Sequence, residues 1–255
     1  MTEFQAQGTL LTRRRWLPRP GRHDGLPRVE WTMAESGYVR PEIDDPVFLD
    51  DNASPIQYGS RWAPGSPPDE TYSVVTHPER FAPLLTVVEA LVDFLARTYT
   101  CTVEEGSHIG REWRDSSSPE DGCTSELRAI MVAPQRPDAA SLVFRITSFP
   151  GVWFEAGALF GQNHPDCGCD ACDQEWSSCA DGLEQNVFAV INGTFVESCK
   201  GRKYTVAIAY PNGGSRQSGR IADQPYSREY LQKARSVLKA QPGPWKPWPL
   251  RQPSM

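Results

Sequence analysis

Proline sets the limits on what this chain can fold into. Sixteen of its 23 prolines fall before residue 84 or after residue 241. Proline lacks the amide donor that helix interiors and sheet ladders require. Regular structure is therefore expected in the middle of the chain, between irregular ends. Hydrophobic residues make up 39%, against roughly 45–50% for globular domains on a slightly different residue set, and a folded domain of modest size is expected. No apolar run approaches the ~20 residues that cross a bilayer.

Periodicity fills in the middle. "HPERFAPLLTVVEALVDFLARTY" (77–99) has an apolar stripe at Leu84, Val87, Val88, Leu91, Phe94 and Leu95, the i, i+3, i+4 spacing of a buried helix face. Pro83 suits a first helical position, so the regular helix can begin there. Strand-like runs follow at 100–104, 125–133, 141–148 and 151–160, separated by turn residues, while 111–122 reads as a polar loop. Residues 174–197 place Trp176, Cys179, Leu183, Val187, Val190, Ile191 and Phe195 on one helical face. Asn212-Gly213 predicts a hairpin between 203–211 and 215–222, and a short helix is expected over 226–240. The sum is an α+β fold: an antiparallel meander with about three packed helices.

The ends divide accordingly. Residues 1–36 are expected to be disordered, with Met33 as a candidate true start. Residues 37–240 read as one domain, and 241–255 as a Pro/Trp-rich tail. Within the domain, aromatics between Tyr38 and Tyr72 need burial, so this proline-rich arm should wrap over the core in extended form. In the tail, "PGPWKPWP" (242–249) could present Trp245 and Trp248 to a protein partner; fraying or packing on its own domain is the blander expectation.

Net charge is −6, and residues 1–32 alone carry six Arg against three acids. The remaining body is acidic on average, which argues against a phosphate-binding surface and hence against nucleic acid. "RRRW" (13–16) contains a twin-arginine pair, but no apolar segment follows it. A cytoplasmic location is expected, with no membrane partner. A reducing compartment keeps the seven cysteines out of disulfides.

The chemistry concentrates in "HPDCGCDACD" (164–173). Cys167, Cys169 and Cys172 form C-x-C-x-x-C, whose thiolates can converge on a zinc ion from one tight turn. A fourth ligand would come from His164, Cys179, Asp170 or Asp173, or through the fold from Cys123 or Cys199; His164 and Cys179 are the favoured candidates. Asp166, Asp170, Asp173, Glu175 and Asp181 surround the trio, and no Lys or Arg lies between 146 and 199. Such acids suppress a free thiolate, whereas a bound dication would hold the thiolates deprotonated. Reduced thiols in a turn, a Cys169/Cys172 redox pair and an iron–sulfur cluster are the competing readings. No nucleophile motif of the G-x-S-x-G kind appears, and His77 before Pro78 reads as a helix-entry residue.

"YVRPEIDDPVF", "IQYGSRW", "YSVVTHPERFAPL", "FPGV" and "CGCDACD" together resemble an uncharacterised actinobacterial family, a domain of unknown function, over roughly residues 38–240. The resemblance implies a cytoplasmic single-domain protein and no established activity. The reading that results is an interaction or regulatory module with a structural zinc site. A metal- or thiol-dependent enzyme is the alternative.

Overall fold

The computed structural model describes residues 29–106, 109, 126–241 and 243–252. Within them the fold is α+β. Helix α1 (Pro83–Thr98) leads into strands β1 (Cys101–Glu105), β2 (Glu126–Pro134), β3 (Leu142–Thr147), β4 (Val152–Ala156) and β5 (Phe160–His164). These five form an antiparallel meander in chain order. Helix α2 (Trp176–Ile191) follows, then β6 (Phe195–Lys200), β7 (Lys203–Tyr210) and β8 (Gly213–Arg220) as a second antiparallel sheet, and finally α3 (Arg228–Ala240). No helix among the described residues is long and apolar enough to cross a membrane.

The expected helices and hairpin are present, and α1 does begin at Pro83. Two expectations need correction. The run 151–160 is not one strand: Gly157 takes a left-handed conformation (φ +55°) and the chain reverses there into β5. A Cβ on Gly157 would lie 2.2 Å from a Glu197 oxygen, so glycine is required on two counts. Nor does α2 continue to 197. Asn192 and Gly193 (φ +73°) end it, and the β-branched and aromatic "TFV" starts β6 instead. The polar loop expected at 111–122 lies outside the described residues.

One core joins both sheets. The α1 stripe from Leu84 to Leu95 is fully buried, apart from a trace at Phe94. It packs with the buried face of α2 and with Ile130, Val132, Leu142, Phe144, Ile146, Val152 and Phe154 of the meander. From the second sheet Phe195, Tyr204, Val206 and Ile208 join the same cluster. Removing such side chains from water is the main favourable term, about 1.5–3 kcal/mol for each large one.

The irregular ends are tied down by polar groups. The Tyr38 hydroxyl donates to Glu184 (3.0 Å), as does Arg40 Nε (2.9 Å), fastening the arm to α2. Trp31 packs on Phe188 and its Nε1 donates to the Thr194 hydroxyl (3.3 Å); residues 1–28 lie outside the described residues. At the other end Trp245 and Trp248 are only 5% and 4% exposed. Trp248 Nε1 donates to the Ala140 carbonyl (2.8 Å), and Trp245 Nε1 to the buried carboxylate of Glu197 (3.0 Å). The tail tryptophans thus belong to the core rather than to a presented surface.

Candidate metal centre

β5 delivers the chain to His164, and the segment 166–175 then bridges to the start of α2. A single 3-10 turn at Asp170–Cys172 brings the cysteines round. Their three sulfur atoms all lie within 4.8 Å of one another, and Cys167 Sγ is 3.3 Å from Cys169 Sγ. Tetrahedral zinc with bonds of about 2.3 Å requires sulfurs about 3.8 Å apart. The donor set therefore fits such an ion with small side-chain adjustments. No other group of three or more His, Cys, Asp or Glu among the described residues converges in this way.

The loop is shaped by close packing. A Cβ on Gly168 would stand 2.3 Å from the Phe149 ring, so glycine here makes room for the ring. Asp173 closes the turn in a left-handed conformation (φ +51°), one that aspartate tolerates better than most residues. Gln174 Oε1 accepts the Cys167 amide (2.9 Å).

The arm holds this loop in place. Asp170 accepts from the Thr76 hydroxyl (3.0 Å) and amide (3.3 Å), while its own amide donates to the Val74 carbonyl (2.8 Å). Arg61 Nε donates to Asp173 Oδ1 (2.6 Å) and its Nη2 to the Asp170 carbonyl (2.7 Å). Arg80, only 2% exposed, donates to three carbonyls: Gly168 (2.8 Å), His77 (3.0 Å) and Gln174 (3.3 Å). Its guanidinium also stacks on the rings of Tyr58 and Phe81, each 4.4 Å away.

These contacts correct the electrostatic picture drawn from chain proximity. Two arginines do reach the loop, from 61 and 80, but Asp170 and Asp173 engage them. Both aspartates are occupied by the arm and stand outside the three-sulfur group. Asp166 and Glu175 remain as the nearby acids.

The sulfurs differ in their surroundings. Cys169 is buried and Cys172 exposed, with Cys167 between. Burial acts to raise the Cys169 thiol. Hydrogen bonds from the Cys167 thiol and from the backbone of Cys172 and Ser73 outweigh it and hold Cys169 below the usual thiol range. Cys172 is pushed up to about 12, by burial first and then by its two sulfur neighbours. Backbone amides aimed at a sulfur are the kind of outer-shell support that orients a metal thiolate.

His164 and Cys179, the favoured fourth candidates, are both buried. His164 is 3% exposed; Asn186 Nδ2 reaches its Nε2 (3.3 Å), and the ring also bonds the Cys179 backbone. Asn186 in turn accepts from the Tyr210 hydroxyl (2.7 Å). Cys179 is buried on the core face of α2, its thiol pushed up to about 12 chiefly by burial. Neither belongs to the three-sulfur group. Cys199 sits on β6, and Cys123 lies outside the described residues. His77 contacts Glu79 (3.1 Å) and the Phe48 ring, at the helix entry.

Burial pushes His164 down to about 4 from an ordinary 6.5. The folded ring is therefore neutral where the unfolded chain would take up a proton. Stability should fall as pH drops from 6.5 towards 4, by about 3 kcal/mol in all. Urea titrations of wild type and His164→Asn across this window check it: the variant should show a shallower loss, and equal losses would contradict the assignment.

A family model described as "Family of unknown function (DUF6226)" matches residues 44–252. The chain belongs to this family. The DUF6226 match takes in the arm from Asp44, the cysteine loop and the tail tryptophans together. No curated protein and no solved structure matches the chain.

Sequence spacing identified the three cysteines that meet. Sequence reasoning placed Arg61 and Arg80 beside the arm and first helix without linking them to the cysteine loop, and missed Ser73, Phe149 and Gln174 as its supports. Arg80 left one trace, as a cation directly preceding Phe81 at the entry to an apolar helix.

Proposed function

We propose that this DUF6226 protein is a cytoplasmic interaction or regulatory module built around a structural zinc ion on Cys167, Cys169 and Cys172. The convergence of three sulfurs within 4.8 Å carries the reading. An ion there would fix the shape of the 167–172 loop, against which the arm packs through Arg61, Thr76 and Arg80. Bound zinc would hold the thiolates together and contribute its binding free energy to folding. The protein's own residues supply the rest: Arg80 and Arg61 set the loop carbonyls, and the Ser73 and Cys172 amides orient Cys169.

One observation favours a second reading. Cys172 is exposed and the group numbers three, the donor count of a catalytic site with a solvent position. A metal-dependent enzyme of unknown substrate is therefore the alternative.

Cys169→Ser separates them. For a structural ion, the variant and chelator-treated wild type should both melt lower than untreated wild type, by about 5 °C or more. The kilocalories lost on removing a structural ligand imply a shift of that size for a domain of this length. Metal-poor protein with an unchanged melting temperature would remove the structural role and favour the enzyme reading.

A further inference from the structure

The average charge of the chain conceals a sharp division. All five lysines and six of the arginines lie after residue 199, where Asp223 and Glu229 are the only acids. Between residues 33 and 199, 27 Asp and Glu face nine Arg. An average argues against a phosphate-binding surface, but folding does not average.

The register of the second sheet places four of these cations. Lys200 lies opposite Lys203, and Lys203 opposite Arg220. Ser198, Thr205 and Ser218 form the adjacent cross-strand row, and Val196, Ala207 and Arg216 the next. Directly opposed residues, and residues two apart along a strand, share one face of a sheet. Tyr204, Val206 and Ile208 point into the core, so these rows lie on the opposite face; Ala207 at the centre of the third row is only 2% exposed, and the open part of the face is the Lys203 and Thr205 rows with Arg216 beside them. Lys200, Lys203, Arg216 and Arg220 are all exposed, and Arg202 sits beside them in the β6–β7 turn. Lys200, Arg202, Lys203 and Arg220 take part in no ion pair among the described residues.

Three cations in one cross-strand row are an electrostatic cost to folding, since like charges directly opposite destabilise a sheet. A face needed only for solubility would mix signs. The accompanying groups narrow the partner. Three hydroxyls can donate to phosphate oxygens alongside Lys and Arg. No aromatic side chain stands on this face, so it is not a platform for stacking single-stranded bases. It also lacks the large apolar anchors on which protein interfaces depend.

We propose that the outer face of the β6–β7–β8 sheet binds the phosphate backbone of a nucleic-acid double helix without reading its sequence. This surface is independent of the cysteine site. With about four phosphates engaged, log K against log salt should have a slope of about −3.6, or about 150-fold weaker binding at 200 mM than at 50 mM salt.

Fluorescence anisotropy of a labelled 20-base-pair DNA duplex with the full chain tests it. The expected result is that salt dependence, equal binding of unrelated duplex sequences, and at least tenfold weaker binding by Lys203→Glu/Arg220→Glu. The milder Lys200→Gln/Arg220→Gln should weaken binding several-fold and serves if the first variant melts lower than wild type. Undetectable binding at 50 mM salt would overturn the proposal. So would unchanged binding by both variants, which would assign the affinity to the six arginines of residues 1–32. Polyglutamate or phosphatidylserine vesicles held as tightly by the same residues would overturn the nucleic-acid assignment.

Discussion

Glu197→Ala is expected to remove about 4 kcal/mol or more of folding stability, a large share of the 5–15 kcal/mol typical of a domain. Glu197 is 1% exposed and lies on β6, yet it serves the far side of the core. Its carboxylate accepts the amides of Ala158 (2.7 Å), Leu159 (2.6 Å) and Phe160 (2.9 Å), which form the β4–β5 turn. Trp245 Nε1 from the tail is the fourth donor. One acceptor thus joins the meander, the second sheet and the C-terminal segment. Alanine would leave four donors without it, most of them out of reach of water, and a buried donor left unsatisfied costs about 1–3 kcal/mol. Glu197→Gln keeps the shape and one carbonyl oxygen but turns a donor towards other donors, so about half the loss is expected. Urea unfolding of both variants measures this. A loss below about 1 kcal/mol for alanine would show that the turn finds other partners.

Arg80→Lys should be nearly as damaging as Arg80→Ala, each costing about 3 kcal/mol. The guanidinium answers three carbonyls on two stretches, His77 at the helix entry and Gly168 and Gln174 at either end of the cysteine loop, while stacked on Tyr58 and Phe81. A lysine keeps the charge but not the planar fork. Its ammonium cannot span those carbonyls, and each buried acceptor left over adds to the loss. The damage should be local first: amide exchange over residues 166–175 should accelerate in Arg80→Lys before the α1 core opens. A lysine variant matching wild type in both stability and exchange would show that charge alone holds the loop.

Glu197 and Arg80 also mark the boundary of what the sequence made legible. The α1 stripe, the hairpin at Asn212-Gly213 and the meander are local patterns, and local spacing reveals them. Cys167, Cys169 and Cys172 meet for the same reason, being within six residues of one another. What spacing could not reveal were contacts set by tertiary packing. Glu197 read as one acid in an extended helix, because nothing in "TFVESCK" shows three amides converging from 40 residues away. The break at Gly157 was hidden for the same reason, since its requirement comes from the Glu197 carboxylate. Arg61 and Arg80 are about 100 residues from the loop they clamp, so a charge count along 146–199 missed them. His164 stands three residues from Cys167 in the chain, but only tertiary packing sets Asn186 of α2 against its Nε2. The basic face shows in the sequence only as Lys200, Arg202, Lys203, Arg216 and Arg220 with no acid among them, and strand register puts three of these cations in one row.

If a metal ion sits on the three converging cysteines, the purified protein must carry it. Protein purified without a histidine tag would be assayed by elemental mass spectrometry alongside Cys169→Ser. About one zinc per wild-type chain is expected, with most of it lost in the variant. Wild-type protein without metal, with Cys167, Cys169 and Cys172 all freely reactive as thiols, would contradict it.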